Sequence, residues 1–330
     1  MKHRLRFAAN ELLRMALLLL GVSLAAFALM TASPLDPLQT NVGQAALGSM
    51  SQEQIANLEV YWGMDTPPAE RYLNWLSAFL HGDLGTSLLY RQPVAQVVAQ
   101  RLGSSLWLLL FAWICSGVLG LALGVLAGVY RGRLPDRIIR GYCLLISSTP
   151  AFWLAILLLI IFSVWLGWLP IGLSVPIGAE AAAVTLADRL RHAILPALTL
   201  SITGVANIAL HTREKVADVM ESDYVLFARA RGESTGSIVL RHGLRNIALP
   251  ALTLQFASIS EIIGGSVVVE QVFSYPGLGQ AAVTAGLGSD LPLLLGITVV
   301  TSALVFGGNL AADLLYGAVD PRIRRGAARE

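Results

Sequence analysis

Lysine is nearly missing from this chain. Of its 23 basic residues only Lys2 and Lys215 are lysines, and neither stands in a G-x-x-x-x-G-K-[ST] loop. Without that phosphate cradle the chain does not itself bind and split ATP in the P-loop manner. It has no H-E-x-x-H helix and no pair of aspartates within an apolar run, so an intramembrane protease or lipid enzyme finds no support and no residue is assigned a catalytic role. Cysteine is as sparse. Cys115 and Cys143 each lie in or beside an apolar run with a basic loop between them, which indicates neither a disulfide framework nor a metal site. Charge is scarce too, at 13% of residues against 55% hydrophobic, and the mean hydropathy of +0.66 makes this a polytopic membrane protein. The net charge of +2 does not point to nucleic acid, because in a membrane protein the distribution of charge matters more than its sum.

What polarity there is concentrates in one stretch, residues 211–246, with apolar runs on both sides. So much Arg, Asp and Glu cannot lie in hydrocarbon, and the stretch must stand in water or against protein. Val216, Val219, Met220, Tyr224, Phe227 and Ala228 recur at steps of three and four, which predicts a helix with an apolar stripe on one side. Ser222 or Asp223 is placed to cap a second short helix ending near Gly232. Its last turn, Ala228-Arg229-Ala230-Arg231-Gly232, joins small side chains to two guanidiniums, the composition of an element that docks on another backbone. A basic helix lying on anionic lipid is the other reading.

The first apolar run, Leu12 to Ala32, follows Lys2, Arg4, Arg6 and Arg14 and is long enough for a bilayer of about 30 Å. It is read as a first transmembrane helix and not as a cleaved signal. Residues 33–105 lack a spanning run and predict a small cap, with short helices around Ser51 to Trp62 and Ala69 to Leu80 and turns at Gly82, Gly85 and Pro93. Tyr61, Trp62, Tyr72 and Trp75 fit either the membrane interface or the core of that cap. Five more runs follow, Leu106 to Val129, Leu144 to Leu169, Ile194 to Leu210, Ile247 to Val269 and Leu291 to Tyr316, for six spans in all. This topology puts 18 of the 23 Lys and Arg residues on one side, which predicts cytoplasmic termini, residues 1–32 as N-terminus and first span, an extracytoplasmic cap, and a core over 106–330. Gly120, Gly124 and Gly128 share a helix face, suited to close packing or to a moving pathway.

Ionisable groups within the spans are few. Asp313 lies near the end of the sixth, while Glu261 stands in the fifth, where an ionised carboxylate costs on the order of 3 kcal/mol unless it faces water or a partner. Either it lines a path and favours cationic substrates, or it faces another subunit and is paired or protonated. A proton- or ion-coupled carrier usually buries more such groups and is the alternative reading of the whole chain.

Many ordered matches give the chain a family resemblance. In the polar loop they are Arg213, Asp223-Tyr224, Ala228 to Gly232, His242, Leu244-Arg245-Asn246 and Leu249-Pro250. Upstream stand GDLGTS from Gly82, Pro93-Val94, SSTPAFW from Ser147, LGWLP from Leu166 and ILPALTL from Ile194; downstream, EQVFSYPGLG from Glu270, then Asp290, Asn309, Asp313, Tyr316 and Asp320-Pro321-Arg322. With these the chain resembles the membrane subunits of bacterial ABC importers, specifically the first permease of the oligopeptide, dipeptide and nickel branch. It departs from the family pattern at Ser33 to Pro37 and at Gly103 to Ser105. The resemblance implies an all-α type I importer permease fold of six spans in the bacterial inner membrane. It implies a second, different permease, two ATPase subunits holding ATP and Mg, and an extracytoplasmic binding protein as partners, with no cofactor or metal on this chain. It implies that Asp223, Tyr224, Ala228, Arg229, Ala230, Arg231 and Gly232 couple to an ATPase groove, so that ATPase closure moves the fourth and fifth spans. Peptides and nickel or its chelates are the substrates the branch carries.

Overall fold

Hydrocarbon offers no hydrogen bonds, so a spanning backbone must satisfy its own, and the chain does so with helices. The computed structural model describes residues 2–176, 178 and 184–319, without the side chains of 2–8, 244–246, 248–250 and 315–319. The motif side chains of Leu244-Arg245-Asn246, Leu249-Pro250 and Tyr316, and all of Asp320-Pro321-Arg322, therefore lie outside the described residues. Among those described there is no strand, only an isolated bridge between Thr86 and Pro93. Among the described residues four helices are long and apolar enough to cross a bilayer, and the number reaches six if each of two bent helix pairs makes one span.

The chain divides into two compact units. The first comprises residues 1–105 and 276–306. It holds α1 (Lys2–Thr31) and the short helices α2 (Pro37–Val42), α3 (Gln44–Leu47), α4 (Gln52–Tyr61) and α5 (Pro68–Leu80). Asp36 accepts the Leu38 amide at 2.9 Å, with Pro37 opening α2, so the departure at 33–37 still makes a helix cap. Ser51 and Gln54 form a reciprocal capping box on α4. Of the four aromatics assigned to interface or core, Tyr72 is buried against Phe27 and Leu295 with Trp75 beside it, whereas Tyr61 is exposed. GDLGTS builds a latch. The Ser87 hydroxyl donates to the buried Asp290 carboxylate at 2.6 Å, which also accepts the amides of Leu89 and Leu293. Ser105, at the second departure, accepts the Leu278 amide at 2.8 Å.

The second unit comprises residues 106–275 and 307–330. Five elements carry it: α6 (Val94–Val129), α7 (Leu134–Ser147), α8 (Ala151–Leu159, prolonged by a π-helical stretch to Trp165), α9 (Leu186–Met220) and α10 (Asp223–Ala230). After α11 (Thr235–Ile238) come α12 (Leu244–Ala257), α13 (Ile259–Val272), α14 (Leu278–Leu287) and α15 (Leu291–Val319), α14 and the start of α15 belonging to the first unit. Leu144 to Leu169 is not one helix, because α7 and α8 meet at 104° where Pro150 cannot continue a helix. The second and fourth spans are longer than expected, α6 starting at Val94 and α9 covering 35 residues. The fifth bends by 45° between α12 and α13.

The glycine face of α6 lies on α9. A methyl group on Gly124 would come within 2.5 Å of Thr212 Cβ and 2.7 Å of the Ala209 carbonyl oxygen, and Gly120 and Gly128 meet Ile208 and Val216 in the same way. Three successive turns of α6 thus touch three successive turns of α9, and the packing use of these glycines is the one realised.

Candidate docking surface

α9 runs past the apolar segment Ile194 to Leu210 and carries its last turns to Met220. Arg213 sits at the start of this extension with only 7% of its side chain exposed. Its guanidinium grips Asp136 of α7 in a fork, Nη2 to Oδ2 at 2.8 Å and Nε to Oδ1, while Asp136 also accepts the Gly132 amide at 2.7 Å and Arg213 reaches Glu214. Bidentate pairing fixes direction as well as distance. The α9 extension is therefore clamped to the first turn of α7, and Ile139 and Cys143 pack on Ala206 and Ala209 above it.

The chain then turns through Glu221 and Ser222 into α10. Ser222 is the N-cap residue, but its hydroxyl donates back to the Val219 carbonyl instead of capping α10. Val225 (0% exposed) and Ala228 (5%) bury themselves with Val216, Met220, Ile238 and Ile247. The remaining faces are open to the surroundings: Phe227 is 73% exposed, Leu226 53% and Tyr224 41%, with Asp223, Arg229, Ala230 and Arg231 exposed around them. One expectation needs correction: the apolar stripe is not continuous, because α9 ends at Met220 and Phe227 lies exposed beyond the turn. Ala228 packs on its own chain.

Gly232 has φ +83°, and the amides of Gly232 and Glu233 bond the carbonyls of Arg229 and Ala228, which is how a helix is closed by a left-handed residue. Its open surroundings leave room for a side chain, so the backbone conformation, not space, requires glycine here. His242 Nε2 lies 3.1 Å from Glu233 Oε2 and ties the loop after α10 to the following segment. Residues 232–236 spell G-x-S-x-G, yet Ser234 caps α11, accepting the Ser237 amide, and no strand precedes it, so no nucleophile elbow is formed.

Glu261 is exposed in the first turn of α13, directly after the bend at Ser258. Its neighbour Ser260 donates to Asn309 at 2.9 Å. The bend is braced from α6: Trp113 Nε1 donates to the Gln255 carbonyl at 2.7 Å and the Gln255 amide returns a bond to the Trp113 carbonyl.

Residues 120–325 match the model of the binding-protein-dependent transport system inner membrane component. The chain belongs to this family. The permease is 36% identical to the oligopeptide transport system permease protein AppB of Bacillus subtilis (strain 168), over 93% of this chain and 95% of that one. It is 36% identical to the glutathione transport system permease protein GsiC of Salmonella typhimurium (strain LT2), over 97% and 99%. A putative peptide transport system permease protein of Brucella abortus (strain 2308) shares 37% over 93% and 95%. These relatives place the permease in the peptide branch of the ABC importers. In fold it is similar to a chain of the MetNI methionine ABC transporter, solved in inward-facing conformations, with a TM-score of 0.54 and 19% identity over 68% of this chain and 97% of that one. The matched region of the permease contains the clamp and α10. Sequence reasoning missed Asp136, which stood unremarked in a basic loop, and Leu226 and Val225, whose opposite exposures only the turn at 221–222 decides.

Proposed function

We propose that this permease forms a peptide path across the inner membrane with a second, homologous permease, and receives its work from two separate ATPase subunits docked at α10. The observation that carries this reading is a short helix buried on one side by Val225 and Ala228 while presenting Phe227 and Leu226 outward among charges. Large apolar side chains facing away from their own chain mark a protein interface. Both termini and residues 211–246 are assigned to the cytoplasm, the cap at 33–105 to the outside, where a binding protein delivers substrate, and the permease core to 106–330. Peptides are the proposed cargo, because the named relatives transport oligopeptides, glutathione or peptides.

Deleting the gene for this chain is expected to abolish growth on di- and oligopeptides as the sole source of a required amino acid, and to leave nickel-chelate-dependent growth intact. The reverse pattern would move the cargo to nickel. Glu261 is proposed to line the path, where a hydrated charge favours cations without a tight site. In the same strain Glu261→Gln should slow cationic peptides several-fold more than neutral ones. Equal slowing of both, or loss of assembly, assigns Glu261 to a subunit contact instead.

A further inference from the structure

The turn from α6 to α7 and the turn from α9 to α10 line a half-open cavity of about 360 Å³ within one compact unit. Three guanidiniums line it, Arg131, Arg133 and Arg229, together with Thr235 and one acid, Glu221. Arg131 Nη1 lies 3.2 Å from Glu221 Oε1, so that acid is already engaged. Arg133 and Arg229 have no ion-pair partner among the described residues. A concave site of this size with an excess of two positive charges calls for an anion, and forked guanidiniums suit phosphate oxygens. The level of the cavity selects its source. α6 ends at Val129, on the cavity wall, and Leu134 and Ile138 follow on α7 with 70% and 62% of their surfaces exposed. Cations at the end of a spanning helix beside outward-facing aliphatic side chains match a lipid's headgroup and the upper part of its acyl chains.

We propose that this cavity binds the phosphodiester of an anionic phospholipid. Arg133 and Arg229 hold the phosphate oxygens, and the acyl chains leave along Leu134 and Ile138. The cytoplasmic leaflet follows from the orientation proposed above, but the chemistry of the site does not depend on it. Arg229 belongs to the last turn of α10, so a bound lipid would sit directly behind the docking surface.

The test uses the assembled transporter, delipidated in neutral detergent and titrated with phosphatidylglycerol or phosphatidylcholine, with bound lipid counted by native mass spectrometry. Phosphatidylglycerol is expected to bind at least tenfold more tightly, with a preference that weakens as salt is raised. Arg133→Gln should remove at least fivefold of that preference, Glu221→Gln should increase it, and Arg137→Gln, on α7 but off the cavity, should leave it unchanged. Equal binding of the two lipids, or an Arg133→Gln protein indistinguishable from Arg137→Gln, overturns the proposal. Displacement of the lipid by inorganic phosphate with the same dependence on Arg133 would make this a site for a soluble phosphate compound and also overturn it. So would loss of ATPase affinity in Arg133→Gln with no change in lipid preference, which would identify a partner's carboxylate as the occupant. If Arg133→Gln fails to assemble, Glu221→Gln decides, and an unaltered lipid affinity there rejects the site.

Discussion

Phe227→Asp is expected to abolish ATP-driven uptake while the permease remains folded in the membrane with its partner permease. Phe227 is 73% exposed on α10 and makes no part of the buried cluster beneath that helix, so the substitution leaves the chain's own packing intact. Its effect falls on whatever covers the ring. Full burial of a phenylalanine side chain is worth about 1.5–3 kcal/mol, and a charge forced into the same pocket adds a desolvation cost. A loss of about 3 kcal/mol weakens ATPase association roughly a hundredfold. Phe227→Ala should give an intermediate loss. Pull-down of the ATPase from membranes and uptake in vesicles measure the two consequences. Normal association in Phe227→Asp would mean that the ATPase grips another surface.

Asp136→Ala should damage the permease itself. Arg213 would keep its charge in a site where 7% of the side chain is exposed, with its bidentate partner gone. Breaking a buried pair from one side costs about 3–5 kcal/mol, and the exposed Glu214, which Arg213 also reaches, offsets only part of that. Because the pair fastens α7 to the extension of α9 that leads into α10, the loss should appear as reduced amounts of assembled transporter and as proteolysis near residues 211–222. Replacing both partners, Asp136→Leu with Arg213→Met, should recover much of the stability, since two apolar side chains leave no charge buried. A double variant as unstable as Asp136→Ala would locate the damage in packing and not in the stranded charge.

The sequence exposed what depends on local rules and hid what depends on distant partners. Six apolar runs, a short helix from about Ser51 and the short helix before Gly232 follow from hydropathy and from cap and turn residues. The bend of 104° at Ser148 to Pro150 was masked because an apolar run continues through it and a hydropathy window cannot see direction. Periodicity grouped Tyr224 and Phe227 in one apolar stripe with Val216 and Met220, although the capping signal at Ser222 or Asp223 already started a second helix there. The Asp136 to Arg213 clamp joins residues 77 positions apart, and no local pattern marks such a pair. Glu261 could be singled out as a charge within a span, but its exposed place in the first turn of α13, just past the bend, follows from the fold and not from hydropathy.

In the proposed assembly this chain conducts substrate and another chain supplies the energy. ATP turnover by the purified permease tests this most directly, first alone and then with the second permease and the ATPase subunits. No turnover is expected alone, whereas turnover in the full assembly should rise when a peptide-loaded binding protein is added and fall to the unstimulated level with Phe227→Asp. Hydrolysis by the permease alone, persisting after every trace of contaminating ATPase has been removed, would contradict it.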